Sequence, residues 1–301
     1  MGLFSRFKKK QPPTTSNTEQ THKARQRDGQ PDVINVPNAD ETMHWAIQKA
    51  QLTLHYFESC LGRPKKGQAY FSIKVGIADQ GKVEHIWLND PTFDEDGNLF
   101  GTVGNVPMDV TTVKMGQQIG IDRGKVSDWM IIQDGRLIGG YTIRALREGY
   151  QGAAKEQFDR SLGGMIIDEG EDYLLASRDT PEGAIVAIEE AYHADDVEAA
   201  LACKDFNIEA RIMLAKMQQQ ENVALVSTTA EALRLSYLKW LQDHGMPKYD
   251  GVVRAFVNRQ KKTDRHYVIT EICTYPDGRR TLDRLNTYQT EAGWVVMGPE
   301  E

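Results

Sequence analysis

Val126-Ser-Asp-Trp-Met-Ile-Ile-Gln-Asp-Gly-Arg-Leu-Ile-Gly-Gly-Tyr-Thr-Ile-Arg144 sets two short apolar runs on either side of Asp134-Gly135. An Asp-Gly pair between such runs signals a hairpin, because the tightest two-residue turns need positive φ at both central positions and these residues tolerate it. The reading is therefore two antiparallel strands, at 126–133 and 137–144. Upstream, Tyr70-Phe-Ser-Ile-Lys-Val-Gly-Ile and Val83-Glu-His-Ile-Trp-Leu alternate in the strand manner around Asp79-Gln-Gly-Lys, a second hairpin. Short strands at 99–106, 110–115 and 118–121 lie between the two. Ahead of them Met43, Ala46, Ile47, Ala50, Leu54, Phe57 and Leu61 recur at spacings of three and four, the pattern of one amphipathic helix stopped by Gly62 and Pro64. The segment 145–176 reads as a helix and loop closing the unit, a helix followed by an antiparallel, barrel-like sheet.

Thr180-Pro181-Glu182 opens a second unit, with a capping hydroxyl, proline at the first helical position and an acid in the first turn. Helices follow at 181–192, 195–203, 207–220 and 229–243, then strands at 252–258, 266–275, 279–289 and 294–297, joined by short polar turns. The fold class is α+β, with the second unit's helices preceding a curved, cone-like antiparallel sheet. The domain reading is a basic tail at 1–38, one α+β domain at 39–177 and another at 178–301.

The chain has 301 residues, 40% hydrophobic and 26% charged, an ordinary globular composition. No apolar run approaches the roughly 20 residues that cross a bilayer. The tail is poor in apolar residues and too polar to offset the entropy of ordering. Its tip carries Leu3, Phe4 and Phe7 beside Lys8-Lys9-Lys10, too short for a signal sequence or firm membrane anchoring, and Arg6 breaks the myristoylation pattern. A cytoplasmic location is expected. Cys60, Cys203 and Cys273 form neither a disulfide framework nor a zinc pattern and read as buried thiols. The net charge of −7 is uneven: residues 1–30 hold seven Lys or Arg against two acids, and residues 31–301 hold 29 against 41. Such a body repels nucleic acid and favours a cationic protein partner.

Two resemblances follow. Ile86-Trp-Leu, Gly104-Asn-Val, Gly116-Gln-Gln-Ile, Val126-Ser-Asp-Trp-Met-Ile and Asp134-Gly-Arg-Leu-Ile-Gly-Gly-Tyr-Thr-Ile-Arg resemble the domain-of-unknown-function family numbered 2314, over residues 41 to 175. That family has no established activity, so the likeness implies a unit rather than a mechanism. Ala184-Ile-Val-Ala-Ile-Glu-Glu-Ala-Tyr, Asp195-Asp-Val-Glu-Ala-Ala-Leu and Gly293-Trp-Val-Val, with the element order, resemble a nuclear-transport-factor-2-like domain. That fold implies an enzyme, a ligand binder, a dimerisation module or an immunity protein, and does not choose among them. The all-helical stretch 206–249 departs from its usual layout.

No Gly-x-Ser-x-Gly, His-Glu-x-x-His or Gly-x-Gly-x-x-Gly motif occurs. Gly120-Ile-Asp-Arg-Gly124-Lys125-Val126 lacks both the spacing and the hydroxyl of a phosphate loop. Thr92-Phe-Asp94-Glu-Asp96-Gly97 lacks the end carboxylates of a calcium loop. No metal or cofactor is implied. The candidate binding residues are Asp128 and Trp129, a polar-aromatic pair, and Tyr192, His193, Asp195 and Tyr237, which would line the mouth of the cone, where a His and a carboxylate suit general-base work. The cations Arg259, Lys261, Lys262 and Arg265 read as a solvated turn.

Three functions stay open. The first is a non-enzymatic binding protein, most concretely an immunity-type protein that neutralises a cationic bacterial toxin, such as a type VI secretion effector, by covering its active site. The second is a small-molecule binder or enzyme using the cone pocket. The third is a scaffold that dimerises through the C-terminal sheet.

Overall fold

The computed structural model describes residues 23–27, 30–35, 41–220 and 222–299. β1 (Lys23–Arg27) and β2 (Gln30–Asn35) pair antiparallel, within the stretch whose composition predicts an unstructured tail. Backbone pairing needs no apolar face, so composition does not reveal it. The tip with Leu3, Phe4 and Phe7 lies outside the described residues.

Asp40–Glu301 packs as one compact unit. The helix expected from Asp40 forms as two, α1 (Glu41–Leu52) and α2 (Leu54–Gly62). The break falls at Thr53, whose hydroxyl donates at 2.7 Å to the Lys49 carbonyl that also accepts the Thr53 amide at 3.0 Å, a back-bond of the kind that bends helices. Next come β3 (Gln68–Asp79), β4 (Lys82–Phe93), β5 (Leu99–Val103), β6 (Gln118–Gly120), β7 (Val126–Gln133) and β8 (Arg136–Gly139). They form one antiparallel sheet in the order β6-β5-β4-β3-β7-β8. The expected sheet is present, but it is open at β6 and β8 and does not close into a barrel. Both predicted tight turns form, with positive φ at Gln80 and Gly81 and at Asp134 and Gly135.

Two strand expectations change. The segment 137–144 leaves the sheet after Gly139, where Gly139 (φ +68°) and Gly140 (φ +62°) turn the chain into α3 (Tyr141–Glu148). A Cβ on Gly139 would stand 2.5 Å from the Trp129 carbonyl and ring, so only glycine fits. The segment 110–115 has no strand partner and belongs to a long loop. α4 (Gly152–Ser161) completes the helices of this half. One face of the sheet buries Ile73, Ile86, Leu88, Trp129 and Ile131 against Phe57 and Ala50. Each large apolar side chain fully buried in this way contributes roughly 1.5–3 kcal/mol.

α5 (Pro181–His193) starts as expected, the Thr180 hydroxyl accepting the Gly183 amide at 3.1 Å. α6 (Val197–Ala202), α7 (Phe206–Lys216) and α8 (Val223–His244) follow. α8 begins six residues before the expected start because Asn222 caps it, accepting the Leu225 amide at 2.9 Å. β9 (Val253–Thr263), β10 (His266–Thr274), β11 (Arg280–Thr290) and β12 (Gly293–Pro299) form an antiparallel meander. α5 packs on it through Ile185, Ile188, Phe256, Ile269 and Trp294, and a smaller cluster joins α7 to α8. All three cysteines are buried free thiols. No described helix is long and apolar enough to cross a membrane.

Candidate functional site

Strand alternation puts Glu84 on the inward face of β4, in register with Ile86 and Leu88 and paired with Ile77. An acid there, 6% exposed, requires donors. They come from the loop 104–117. The Glu84 carboxylate accepts the Met108 amide at 2.9 Å, the Asp109 amide at 2.8 Å and the Val110 amide at 3.3 Å. Asp79, at the end of β3, accepts the Thr111 amide at 2.6 Å and its hydroxyl at 2.8 Å, bonds that hold its carboxyl below the usual range. The loop ends are tied by backbone bonds, Gly104 to Trp87 and Gly116 to Val103. A segment with no regular structure is thus fixed at both ends and along its middle. It presents Val106 at 52%, Met108 at 42% and Met115 at 54% exposure. A structured loop that shows several large apolar side chains to solvent has the makings of a recognition surface.

A second constellation lies where α1 meets α5 and β9. Lys49 places its ammonium 3.1 Å from Asp172 Oδ2 and donates to the Phe256 carbonyl at 2.9 Å, over the rings of Trp45 and Tyr141. Asp172 also accepts the Phe256 amide at 2.8 Å. The Trp45 indole donates to Glu182 at 2.9 Å, and burial raises the Glu182 carboxyl. Arg259, expected in a solvated turn, instead reaches inward to Gln48 at 2.7 Å and lies 3.7 Å from Glu182. Deeper in the C-terminal half, Arg254 is held by Glu189 through two short bonds and by Glu271, with its Nε 2.7 Å from Oε2. Burial pushes the Glu189 carboxyl up to about 7. Lys49 to Phe256, Trp45 to Glu182 and Arg259 to Gln48 tie the two halves together, whereas Arg254, Glu189 and Glu271 match charge within the C-terminal half.

Of the residues singled out from sequence, Trp129 is fully buried, its indole donating to the Ala50 carbonyl at 3.0 Å and to the Thr53 hydroxyl at 3.1 Å. Asp128 is also fully buried. Its carboxylate accepts the Trp129, Tyr141 and Thr142 amides and the Thr142 hydroxyl, so it caps the start of α3 from the neighbouring strand. Burial raises its carboxyl, while the Lys74 charge and these donors oppose that shift. Both side chains fasten the fold and neither faces solvent. Tyr192 and Tyr237 do meet, hydroxyl to hydroxyl at 2.8 Å, and burial raises both phenols. His193 and Asp195 do not join them: His193 lies 3.2 Å from Asp250 and Asp195 3.2 Å from Lys248, in exposed pairs. The acidic turn at 94–97 is closed by Asp94, which accepts the Asp96 and Asn98 amides and the Asn98 side-chain amide.

Glu84 was missed from sequence although a signal exists, since in Val83-Glu-His-Ile-Trp-Leu the acid shares a face with Ile86 and Leu88. Lys49, Asp172 and Arg254 carry no such signal, because their partners are set only by packing.

Residues 40–165 match the model of the family described as "Uncharacterized protein conserved in bacteria (DUF2314)". A stretch of 102 residues is 39% identical to "Uncharacterized protein YegJ" of Escherichia coli (strain K12), covering 34% of this chain and 64% of that protein. A longer stretch of 181 residues is 26% identical to "Putative ankyrin repeat protein NMB1133/NMB1171" of Neisseria meningitidis serogroup B (strain ATCC BAA-335 / MC58), covering 58% of this chain and 66% of that one. The chain therefore spans just under two thirds of the length of these curated relatives. No solved structure gives a significant match.

Proposed function

We propose that this is a non-enzymatic binding protein of the immunity type, which neutralises a cationic bacterial toxin by laying the 104–117 loop over the toxin's site. The observation that carries the reading is the loop itself, held by Glu84 and Asp79 while Val106, Met108 and Met115 stand exposed. Ordering a loop before binding removes much of the entropy cost of association, and methionine adapts its shape to a partner's pocket. The excess of 41 acids over 29 bases in residues 31–301 supplies the long-range attraction to a basic surface. The element order of residues 181–299, helices and then an antiparallel meander, supports the likeness to a nuclear-transport-factor-2-like domain, a fold that recurs among immunity proteins. A type VI secretion effector is one toxin that fits this description.

The test is co-expression with the product of the neighbouring open reading frame. If that product is toxic, wild type restores growth, and the double variant Val106→Asp, Met108→Asp, folded by circular dichroism, does not. Growth restored equally by both removes the loop from the mechanism. Failure to find any protein bound more tightly than micromolar removes the reading altogether.

A further inference from the structure

α1 and α2 cover one face of the six-stranded sheet, where Ile73, Ile86, Leu88, Trp129 and Ile131 are buried. Strand alternation sends their neighbours Tyr70, Trp87, Phe100, Met130 and Ile132 to the opposite face. There Tyr70 is 38% exposed and the other four are half-buried, and none of the five belongs to a described core cluster. A sheet with one solvated face ordinarily turns polar side chains outward, so three rings, a methionine and an isoleucine mark a surface able to take a further layer. The face is also close to uncharged. Across 70–76 of β3, 85–89 of β4, 100–102 of β5 and 128–132 of β7 the only acid is Asp128, fully buried and bonded by three amides and a hydroxyl. The only ionisable bases in these ranges are Lys74 and His85. Lys74 donates to the Thr142 hydroxyl at 3.3 Å, lies 5.5 Å from the centre of the Trp87 ring and feels the opposite charge of Asp128. Burial, and then the Lys74 charge, lowers the His85 imidazole, which is therefore neutral at pH 7. Asp90 stands at the rim, in the bulge that ends the β4 row.

We propose that this face is the contact between two copies of the chain, their open sheets stacking into a sandwich about a two-fold axis. Charge selects the occupant. Residues 31–301 hold 41 acids against 29 bases, so two copies repel over most of their surfaces and least where no carboxylate meets another. Physiological salt screens charges beyond about 8 Å, so the neutrality of the contact itself outweighs the total charge. A cationic partner finds only a rim acid here, and an anionic polymer finds one ammonium already balanced by Asp128. Shape agrees with this choice. Ser72 is fully buried, its hydroxyl donating to the Leu88 carbonyl at 2.9 Å, and leaves a dip between Tyr70 and Met130 where methionine can adapt to an entering ring. Five strands from β6 to β7, about 4.8 Å apart, and six residue steps of about 3.4 Å make a patch of roughly 20 Å by 20 Å. That is smaller than the roughly 800 Å² per partner of a standard interface, so the dimer is a weak one. This contact does not use Val106, Met108 or Met115, and it stands or falls independently of the immunity reading.

The experiment is sedimentation velocity on the full chain, from about 1 to about 200 µM at physiological salt. A monomer–dimer equilibrium with a dissociation constant on the order of 10–100 µM is expected, the scale suited to a small neutral patch. Tyr70→Glu on β3 and Thr102→Glu on β5 each put two carboxylates into a two-fold contact and should weaken it at least about ten-fold. Both positions face away from the inner core, so circular dichroism should show an unchanged fold. Leu235→Glu, at a position 53% exposed on α8, should dimerise as wild type does. Salt at about 1 M should leave the dimer as tight or tighter, because no ion pair holds it. The proposal is overturned if the chain stays monomeric at about 200 µM, or if high salt dissolves the dimer. It is also overturned if both glutamate variants on the sheet dimerise as wild type does, which would move the contact to another face such as the C-terminal sheet. A monomeric chain that loses a bound foreign protein in both variants would give the face to that partner and overturn the proposal too.

Discussion

Replacing Glu84 by alanine removes one carboxylate and leaves three backbone amides, of Met108, Asp109 and Val110, without the acceptor that holds them. The Val110 bond is buried and the other two are partly buried, so water can replace some of what is lost. An unsatisfied buried donor costs about 1–3 kcal/mol and one reachable by water much less, so a total loss of roughly 2–4 kcal/mol is expected. Glu84→Gln keeps one carbonyl oxygen and loses the charge, so its loss should be about half as large. Urea unfolding measures the first quantity. Amide exchange measures the second consequence, faster exchange confined to 104–117 while β3 and β7 keep their protection, because the loop would be released without breaking the sheet. If the loop is the binding surface proposed above, partner binding should then weaken through the cost of reordering it. An alanine variant within about 0.5 kcal/mol of wild type, with unchanged exchange in the loop, would refute the view that Glu84 organises this surface.

Lys49→Met should destabilise the chain by about 3–5 kcal/mol in urea unfolding, because Asp172, whose side chain is 3% exposed, would be left as a buried charge without its cation. Gly139→Ala should cost more than the roughly 1 kcal/mol of an ordinary helix or strand glycine exchange, since it adds a clash with Trp129 to a left-handed φ; a measured loss below that would show the turn can relax. For Glu189 the folded state holds its proton up to about pH 7, whereas the unfolded chain releases it near the ordinary carboxylate value. Between those limits the folded form binds more protons, so stability falls as pH rises through the window, by about 3 kcal/mol from this group. Glu189→Gln should flatten that part of the stability profile from pH 5 to 8. Tyr237→Phe should cost about 1 kcal/mol in thermal or urea unfolding, the worth of the hydroxyl pair with Tyr192.

Local chemistry, legible in the sequence, determined the α+β class, the two tight hairpin turns, the cap at Thr180 and the inward side of most strands. Each depends on φ preferences, alternation or capping within a few residues. The same locality explains the misreadings. A continuous apolar stripe breaks at Thr53, whose hydroxyl bonds one turn back, and Gly139-Gly140 ends β8 because of a ring that reaches it from β7. Only tertiary structure decided the rest. Lys49 meets Asp172 across 123 positions and Arg259 meets Gln48 across 211, and Glu84 gathers amides 24 to 26 positions away. Asp128 and Trp129, conspicuous in the sequence, became internal fasteners, while nothing in the sequence marks the exposed methionines of the loop. Charge and hydrogen-bonding capacity are written in each residue, but whether a group is satisfied depends on which distant atoms the packed chain brings within about 3 Å.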